Sequence, residues 1–419
     1  MPIRSIVLAE SLAGREQELV SALDLGRAPA VVSDPETEMA LGARVKRALA
    51  GKFPRLLPIT LPSHPRPDQQ TAKAIERAGW QADAFIAVGS GTINDLCKQA
   101  AACSGKPYAV FATAPSMNGY TSKTASIEVD GLKRTLPARA PEGVFMDLGV
   151  LAAAPAPLIR AGVGDTLCRA TAQADWLLAH LVRGEDYQEL PFELLAEEEA
   201  ALLAAPEALL GGHPPAVACL ARALILAGLG MSYCGGSFST SQGEHLISHY
   251  LELRGAAEGL HGERIGVTTI TMARLQARLL AREALEVFPC GLTEADFLQR
   301  YGPDLGPERW REFVPKRLDE AGAAALNRRL SHEWAEMRER LAAVVLPPEL
   351  IHAALARLGA PTEPRELGWR PGAYAEAVRH AAEIRNRYTF LDLARDCRLP
   401  YPWKEEEHGT AADHDAHPP

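Results

Sequence analysis

The sequence predicts an α/β N-terminal domain joined to an all-α C-terminal domain. Three observations predict it. In the first third, short apolar runs rich in Val and Ile alternate with helical-looking segments, the pattern of a parallel sheet covered by helices on both faces. From about Pro155 onward, Ala- and Leu-rich segments at helical spacing replace the β-branched clusters. The chain has 419 residues, too many for one simple core. The boundary is placed near Leu151, giving an α/β domain over 1–151 and a helical domain over 152–404.

The elements follow in order. APAVVSD, DAFIAVGSG, KPYAVFATA and GVFMDL read as strands, and ETEMALGARVKRALAG and DQQTAKAIERAGW as the helices between them. PAVACLARALILAGLGMSYC reads as a buried helix. So does GERIGVTTITMARLQARLLAREAL, against the weak helix propensity of its Val/Thr/Ile start. Residues 183–215 are acidic and Pro-bounded and read as an exposed helix pair or insertion. The polar end, 405–419, lacks large apolar residues and reads as a disordered tail, so His408, His414 and His417 are taken as solvated.

Composition narrows the function. Hydrophobic residues make up 47% and charged residues 23%, as in ordinary globular proteins. A net charge of −9 without a dense Lys/Arg stripe argues against a nucleic-acid partner. No apolar run is read as long enough to span a bilayer, so no membrane partner is expected. Seven scattered cysteines without a C-x-x-C pair do not suggest a disulfide framework. The N-terminus lacks a long apolar signal core, and a cytoplasmic protein is expected. A homo-oligomer, dimer or larger, is also expected.

AFIAVGSGTINDLCKQAA sets Gly89-Ser90-Gly91-Thr92 between a strand and a helix. Glycines let the backbone approach an anion, and a helix N-terminus offers unpaired N–H groups and a favourable dipole. This is not a full G-x-G-x-x-G motif, and a plain strand-to-helix turn needs only one of those glycines. Thr92, Asn94 or Asp95 can cap the helix. Asp34 ends an earlier strand. It reads either as a ribose-binding acid that favours NAD over NADP, or as a helix cap before Pro35.

GVGDTLCRATAQADW carries Asp165 where the pattern starts a helix, and the plain role there is an N-cap. SQGEHLISHYLELRGAAEGLHGERIGV holds His245, His249 and His261. The first two share a helix face, as i and i+4 residues do, and such a pair can chelate one ion. One carboxylate with two or three imidazoles suits zinc or another divalent transition ion. A lone helical histidine is more often structural.

GSGTINDLCK, ATAPSMNGYTSKTASI, the GVGDTLC stretch, GEHLISHYLEL and HGERIGV, in this order, strongly resemble the glycerol-1-phosphate dehydrogenases, including the AraM-like members. These belong to the iron-containing alcohol dehydrogenase and dehydroquinate synthase-like superfamily. The likeness covers roughly residues 31–275. It implies a Rossmann-like nucleotide-binding domain, a helical domain and an active site in the interdomain cleft. It implies a metal held by Asp165, His245 and His261, with zinc, nickel or iron as the candidate ions, and His249 beside it as a proton-relay residue. NAD(H) or NADP(H) is expected at Gly89, Ser90, Gly91, Thr92, Asp95, Thr113 and Ser116, and more loosely at Asp34.

The implied reaction is reduction of a small phosphorylated substrate, dihydroxyacetone phosphate, to sn-glycerol 1-phosphate. Asn118 is taken with His249 as a catalytic candidate, but it is a departure, because the AraM-like pattern has Asp there: the amide keeps the size and hydrogen-bonding capacity but loses the charge and any general-base role. Another phosphorylated or phosphonylated carbonyl substrate, or a dehydroquinate synthase-like cyclisation, are the alternatives. Lys123, Arg160, Arg254 and Arg264 are the cations considered for the phosphate.

Overall fold

Six short strands build one fully parallel sheet in the order β1-β8-β5-β4-β2-β3. They are β1 (Ser5–Ala9), β2 (Pro29–Ser33), β3 (Leu57–Thr60), β4 (Ala84–Gly89), β5 (Tyr108–Ala112) and β8 (Gly143–Asp147). The computed structural model describes residues 3–129, 132–256 and 258–399. The expected tail lies outside these residues.

The interior strands are β2, β4, β5 and β8. Every residue in them is buried, which is why they read as continuous apolar runs. The edge strands β1 and β3 are partly exposed, although β1 still carries the apolar run Ile6-Val7-Leu8-Ala9. From β2 the chain goes outward to β3, and from β4 it goes the other way to β5. The carboxyl ends of β2 and β4 therefore flank a topological switch point, where open α/β sheets place ligands. An antiparallel hairpin, β6 (Thr124–Val129) with β7 (Leu132–Pro137), stands apart from the sheet.

Beyond Asp147 the described chain is helical. A 28-residue helix, Ala156–Arg183, runs through the middle and is buried along most of its length. It starts well before Asp165, so Asp165 is a buried mid-helix residue and not an N-cap. Pro214–Tyr233 is the one described helix long and apolar enough to cross a membrane, against the expectation of none. It is 61% buried inside the fold and packs in the same apolar core as β4, β5 and β8.

Residues 183–215 form short helices that are exposed on one face and docked on the other. Leu195, Leu202, Leu203 and Leu209 pack into that core. Glu199, 4% exposed, pairs with buried Arg169 of the central helix. The acidic composition hid an amphipathic inner face.

Candidate metal and nucleotide cleft

Close helix crossing builds the site. The Ala156–Arg183 helix meets the His261–Leu280 helix at Gly164 and Gly262. A Cβ on Gly262 would lie 1.8 Å from the Ala161 carbonyl oxygen, and one on Gly164 would lie 2.1 Å from the Gly262 carbonyl oxygen. On the other side, a Cβ on Gly162 would lie 1.8 Å from the Pro115 carbonyl oxygen. No side chain fits at these points. The glycines flanking Asp165 therefore bring one helix against both the 115–119 loop and the helix that begins at His261.

That crossing sets Asp165 Oδ1 3.8 Å from His245 Nε2 and 3.7 Å from His261 Nε2. Oδ1 is buried and accepts no hydrogen bond among the described residues. A buried carboxylate oxygen without a partner is costly. Its other oxygen, Oδ2, accepts from the Asn118 backbone N–H at 2.8 Å. His245 Nδ1 donates to Glu244 Oε1 at 2.9 Å, which leaves the Nε2 lone pair facing Asp165. Gln242 N–H and Thr171 Oγ1 hold the same Glu244 carboxylate at 2.7 and 3.2 Å.

Burial, then Lys133 and His245, hold the His261 imidazole well below its usual pKa. Burial, then Arg385 and His245, do the same at His249. Both rings are neutral at neutral pH, the form in which an imidazole nitrogen binds metal. Burial pushes the Asp165 carboxyl upward, with His245 opposing. A carboxylate oxygen and two imidazole nitrogens, left without other partners and turned toward one point, fit a divalent ion. His249 stands beside this triad, its ring centroid 5.7 Å from His245 and 6.4 Å from His261.

The triad faces a cleft of about 1160 Å³, open solvent included. Ser90, Gly91, Thr92, Asp95 and Ser116 line it together with Asn118, Asp165, His245, His249 and His261. The Gly91–Ser104 helix starts there with no side-chain cap at Ser90, so its first N–H groups face the cleft unblocked. None of the suggested caps is used.

The remaining nucleotide candidates fall differently. Asp95 Oδ2 accepts from Ser126 N at 3.0 Å, tying the helix to the β6–β7 hairpin. Gly89 and Thr113 close the ends of β4 and β5 behind the lining, with Thr113 N–H donating to Gly89 O at 3.2 Å. Asp34 sits at the end of β2 but acts as a cap. Its Oδ1 accepts from Thr37 N at 2.8 Å and Thr37 Oγ1 at 2.7 Å, and it does not line the cleft.

Asn118, a catalytic candidate, does line the cleft, and it also contacts Asp165. Its backbone holds Asp165 Oδ2, and its Nδ2 faces the Asp165 carbonyl oxygen at 3.3 Å. An aspartate there would set acceptor against acceptor.

Two features were missed in the sequence. Lys98, fully buried, donates to Gly119 O at 2.6 Å, Thr124 O at 2.9 Å and Ser122 Oγ at 3.1 Å, fixing the loop that carries Asn118. Its only signal was a lysine one turn beyond Asp95. Among the described residues the cations lining the cleft are Lys133 and Arg385, and the four considered do not line it. Lys123 is exposed, Arg160 holds Leu358 O, Arg254 pairs with Glu376, and Arg264 pairs with Glu252.

Residues 7–155 match the family model described as iron-containing alcohol dehydrogenase. The chain is 32% identical over 323 residues to the glycerol-1-phosphate dehydrogenase (NAD(P)+) of Geobacillus thermodenitrificans, covering 76% of this chain and 72% of that protein. It is 33% identical over 290 residues to the enzyme of the same name from Methanothrix thermoacetophila, covering 68% and 81%. Among solved structures, the glycerol dehydrogenase of Schizosaccharomyces pombe superposes with a TM-score of 0.63 at 14% identity, over 94% of this chain and 88% of that one. The sulfoacetaldehyde reductase of Bifidobacterium kashiwanohense, solved with NAD+, gives 0.59 at 16% identity, over 95% and 98%. These two likenesses concern the fold alone. The sequence identities go further: the chain belongs to the glycerol-1-phosphate dehydrogenase family of iron-containing alcohol dehydrogenase-like oxidoreductases.

Proposed function

We propose that the protein reduces dihydroxyacetone phosphate to sn-glycerol 1-phosphate with NADH or NADPH and one divalent ion. The observation that carries this reading is the unpartnered Asp165 Oδ1 between two imidazole Nε2 atoms, in the same cleft as an uncapped helix N-terminus. The helix N-terminus at Gly91 suits the dinucleotide pyrophosphate. Asp165, His245 and His261 would hold the ion, which when bound supplies Lewis acidity toward a carbonyl oxygen.

The chain's own residues do the rest. Glu244 fixes the tautomer of His245 through Nδ1. Asn118 orients Asp165 through Oδ2. His249, neutral because it is buried beside cations, is not a proton reservoir at neutral pH. It serves as a relay, giving an imidazole N–H to the alkoxide and regaining a proton from solvent at its other nitrogen. That the relatives are glycerol-1-phosphate dehydrogenases supports the substrate class.

The test is net NADH oxidation with dihydroxyacetone phosphate, for protein stripped by chelator and then restored with zinc, nickel or iron. Metal-dependent oxidation is expected. No net oxidation under any ion sinks the reading. A cyclase, which regenerates its NAD, would give that result.

A further inference from the structure

We infer that Arg385, with Lys133 beside it, binds the phosphoryl dianion of the substrate at the end of the cleft next to His249. The identity of the ligand rests on the proposed reaction; the anion site itself rests on geometry. Arg385 and Lys133 are the cationic side chains among the described residues lining the cleft, and they share it with His249 and Thr135.

Arg385 is half-buried, and its Nη2 reaches Thr135 Oγ1 at 3.3 Å. Its polar partner among the described residues is that hydroxyl, not a carboxylate. Burial, then Arg309, disfavours its charged form, with Glu312 opposing them. A guanidinium left in that position gains most from an anion. Lys133 Nζ lies 3.0 Å from Glu252 Oε1, but Arg264 already holds that carboxylate oxygen. The two cations therefore leave an excess of positive charge facing the cleft.

The backbone around Arg385 is fixed. Arg309 Nη1 donates to Ile384 O at 2.9 Å, and Asn386 N–H to Glu312 Oε2 at 3.0 Å. Arg387 Nη2 donates to Ser237 Oγ at 3.0 Å, and Phe390 N–H to buried Asp175 Oδ1 at 2.8 Å. A planar fork held this way suits two phosphate oxygens at once, with the ammonium acting as a point charge.

The test uses the metal-loaded enzyme saturated with NAD+, so that the cofactor's own phosphates already occupy their place. Inorganic phosphate is titrated into wild type, Arg385→Gln, Lys133→Gln and, as a control outside the cleft, Lys123→Gln. Arg385→Gln is expected to weaken phosphate binding by at least about 30-fold, the scale for losing one partner of a desolvated charge pair, and Lys133→Gln, at an exposed lysine, by about fivefold, the scale of an exposed pair. The preference for dihydroxyacetone phosphate over dihydroxyacetone, as a ratio of kcat/KM, is expected to fall by about the same factor in Arg385→Gln. Arg385→Lys keeps the charge and guards against misfolding; it is expected to recover most of the binding.

Wild type that binds no phosphate, or Arg385→Gln within about twofold of it, overturns the site. An equal loss on both carbonyl compounds overturns it too. If wild type binds phosphate through Arg385 but reduces neither compound, the site stands and the proposed reaction falls.

Discussion

Gly262→Ala should cost both stability and metal affinity. The new Cβ would sit 1.8 Å from Ala161 O, 2.5 Å from Ala161 C and 2.8 Å from Ala161 Cα. All three are backbone atoms of the central helix, so no side chain can swing aside. Ordinary contact begins near 3.4 Å, so the two helices must part by about 1.6 Å. Overpacking of this kind typically costs ~1–3 kcal/mol, and backbone-on-backbone contact belongs at the upper end.

The same movement carries His261 away from Asp165, where the atoms now stand 3.7 Å apart. Metal ligation tolerates about ±0.2 Å. A misplacement of about 1 Å can cost ~100-fold in rate. The assay is thermal unfolding of the metal-free protein, with zinc affinity by chelator competition. Gly51→Ala is the control, at φ −69° with nothing within 4 Å of the new Cβ, and should be nearly silent. An unchanged Tm with zinc affinity within twofold of wild type would refute the claim that these glycines set the ligand geometry.

Other perturbations test separate parts of the account. Glu199→Ala leaves the buried Arg169 guanidinium without its carboxylate and should cost ~3–5 kcal/mol in denaturant unfolding; a near-neutral result would mean the acidic segment is not part of the core. Lys98→Met strips donors from the Gly119 and Thr124 carbonyls, at ~1–3 kcal/mol for each left unpaired, and should raise KM for the dinucleotide as the 115–124 loop loosens; unchanged stability and KM would contradict this. His249 and His261 are held well below 6.5, so between that depressed value and 6.5 the unfolded chain binds more protons than the folded one. Stability of the metal-free protein should therefore fall as pH drops through 6.5, and His249→Asn should flatten that slope. Asp165, raised by burial, opposes this at lower pH, since its protonated form is the one the site tolerates. A pH-independent Tm across that window would remove the argument for buried neutral imidazoles.

The sequence shows what repeats and hides what is made by contact. The strands β2, β4, β5 and β8 are legible because burial on both faces demands unbroken apolar runs. The edge strand β3 escapes notice because two of its four residues are exposed, whereas β1 carries a legible Ile-Val-Leu-Ala run that went unread. The hairpin β6–β7 carries polar alternation with a Val-Asp-Gly-Leu link, a hairpin signal that went unused.

Asp165, His245, His249 and His261 stand out by residue type, and the structure does bring them together. Gly162 and Gly164 were misleading in one respect. They looked like a helix start, yet they lie inside a helix and serve a crossing that only the fold reveals. Asp34 was open between two roles, and its capping geometry follows from Pro35 and Thr37. Arg385 belongs to no motif. It reaches the cleft because Arg309, Glu312, Ser237 and Asp175 anchor the chain on either side of it.

The most direct test of the central claim is a zinc and nickel titration of stripped protein, with NADH oxidation on dihydroxyacetone phosphate followed in the same samples. Wild type is compared with Asp165→Asn, His245→Ala and His261→Ala. The account predicts one ion per chain, oxidation that tracks occupancy, and affinity at least ~100-fold weaker in each variant. Oxidation by fully stripped protein at the restored rate, or wild-type metal affinity in all three variants, would contradict it.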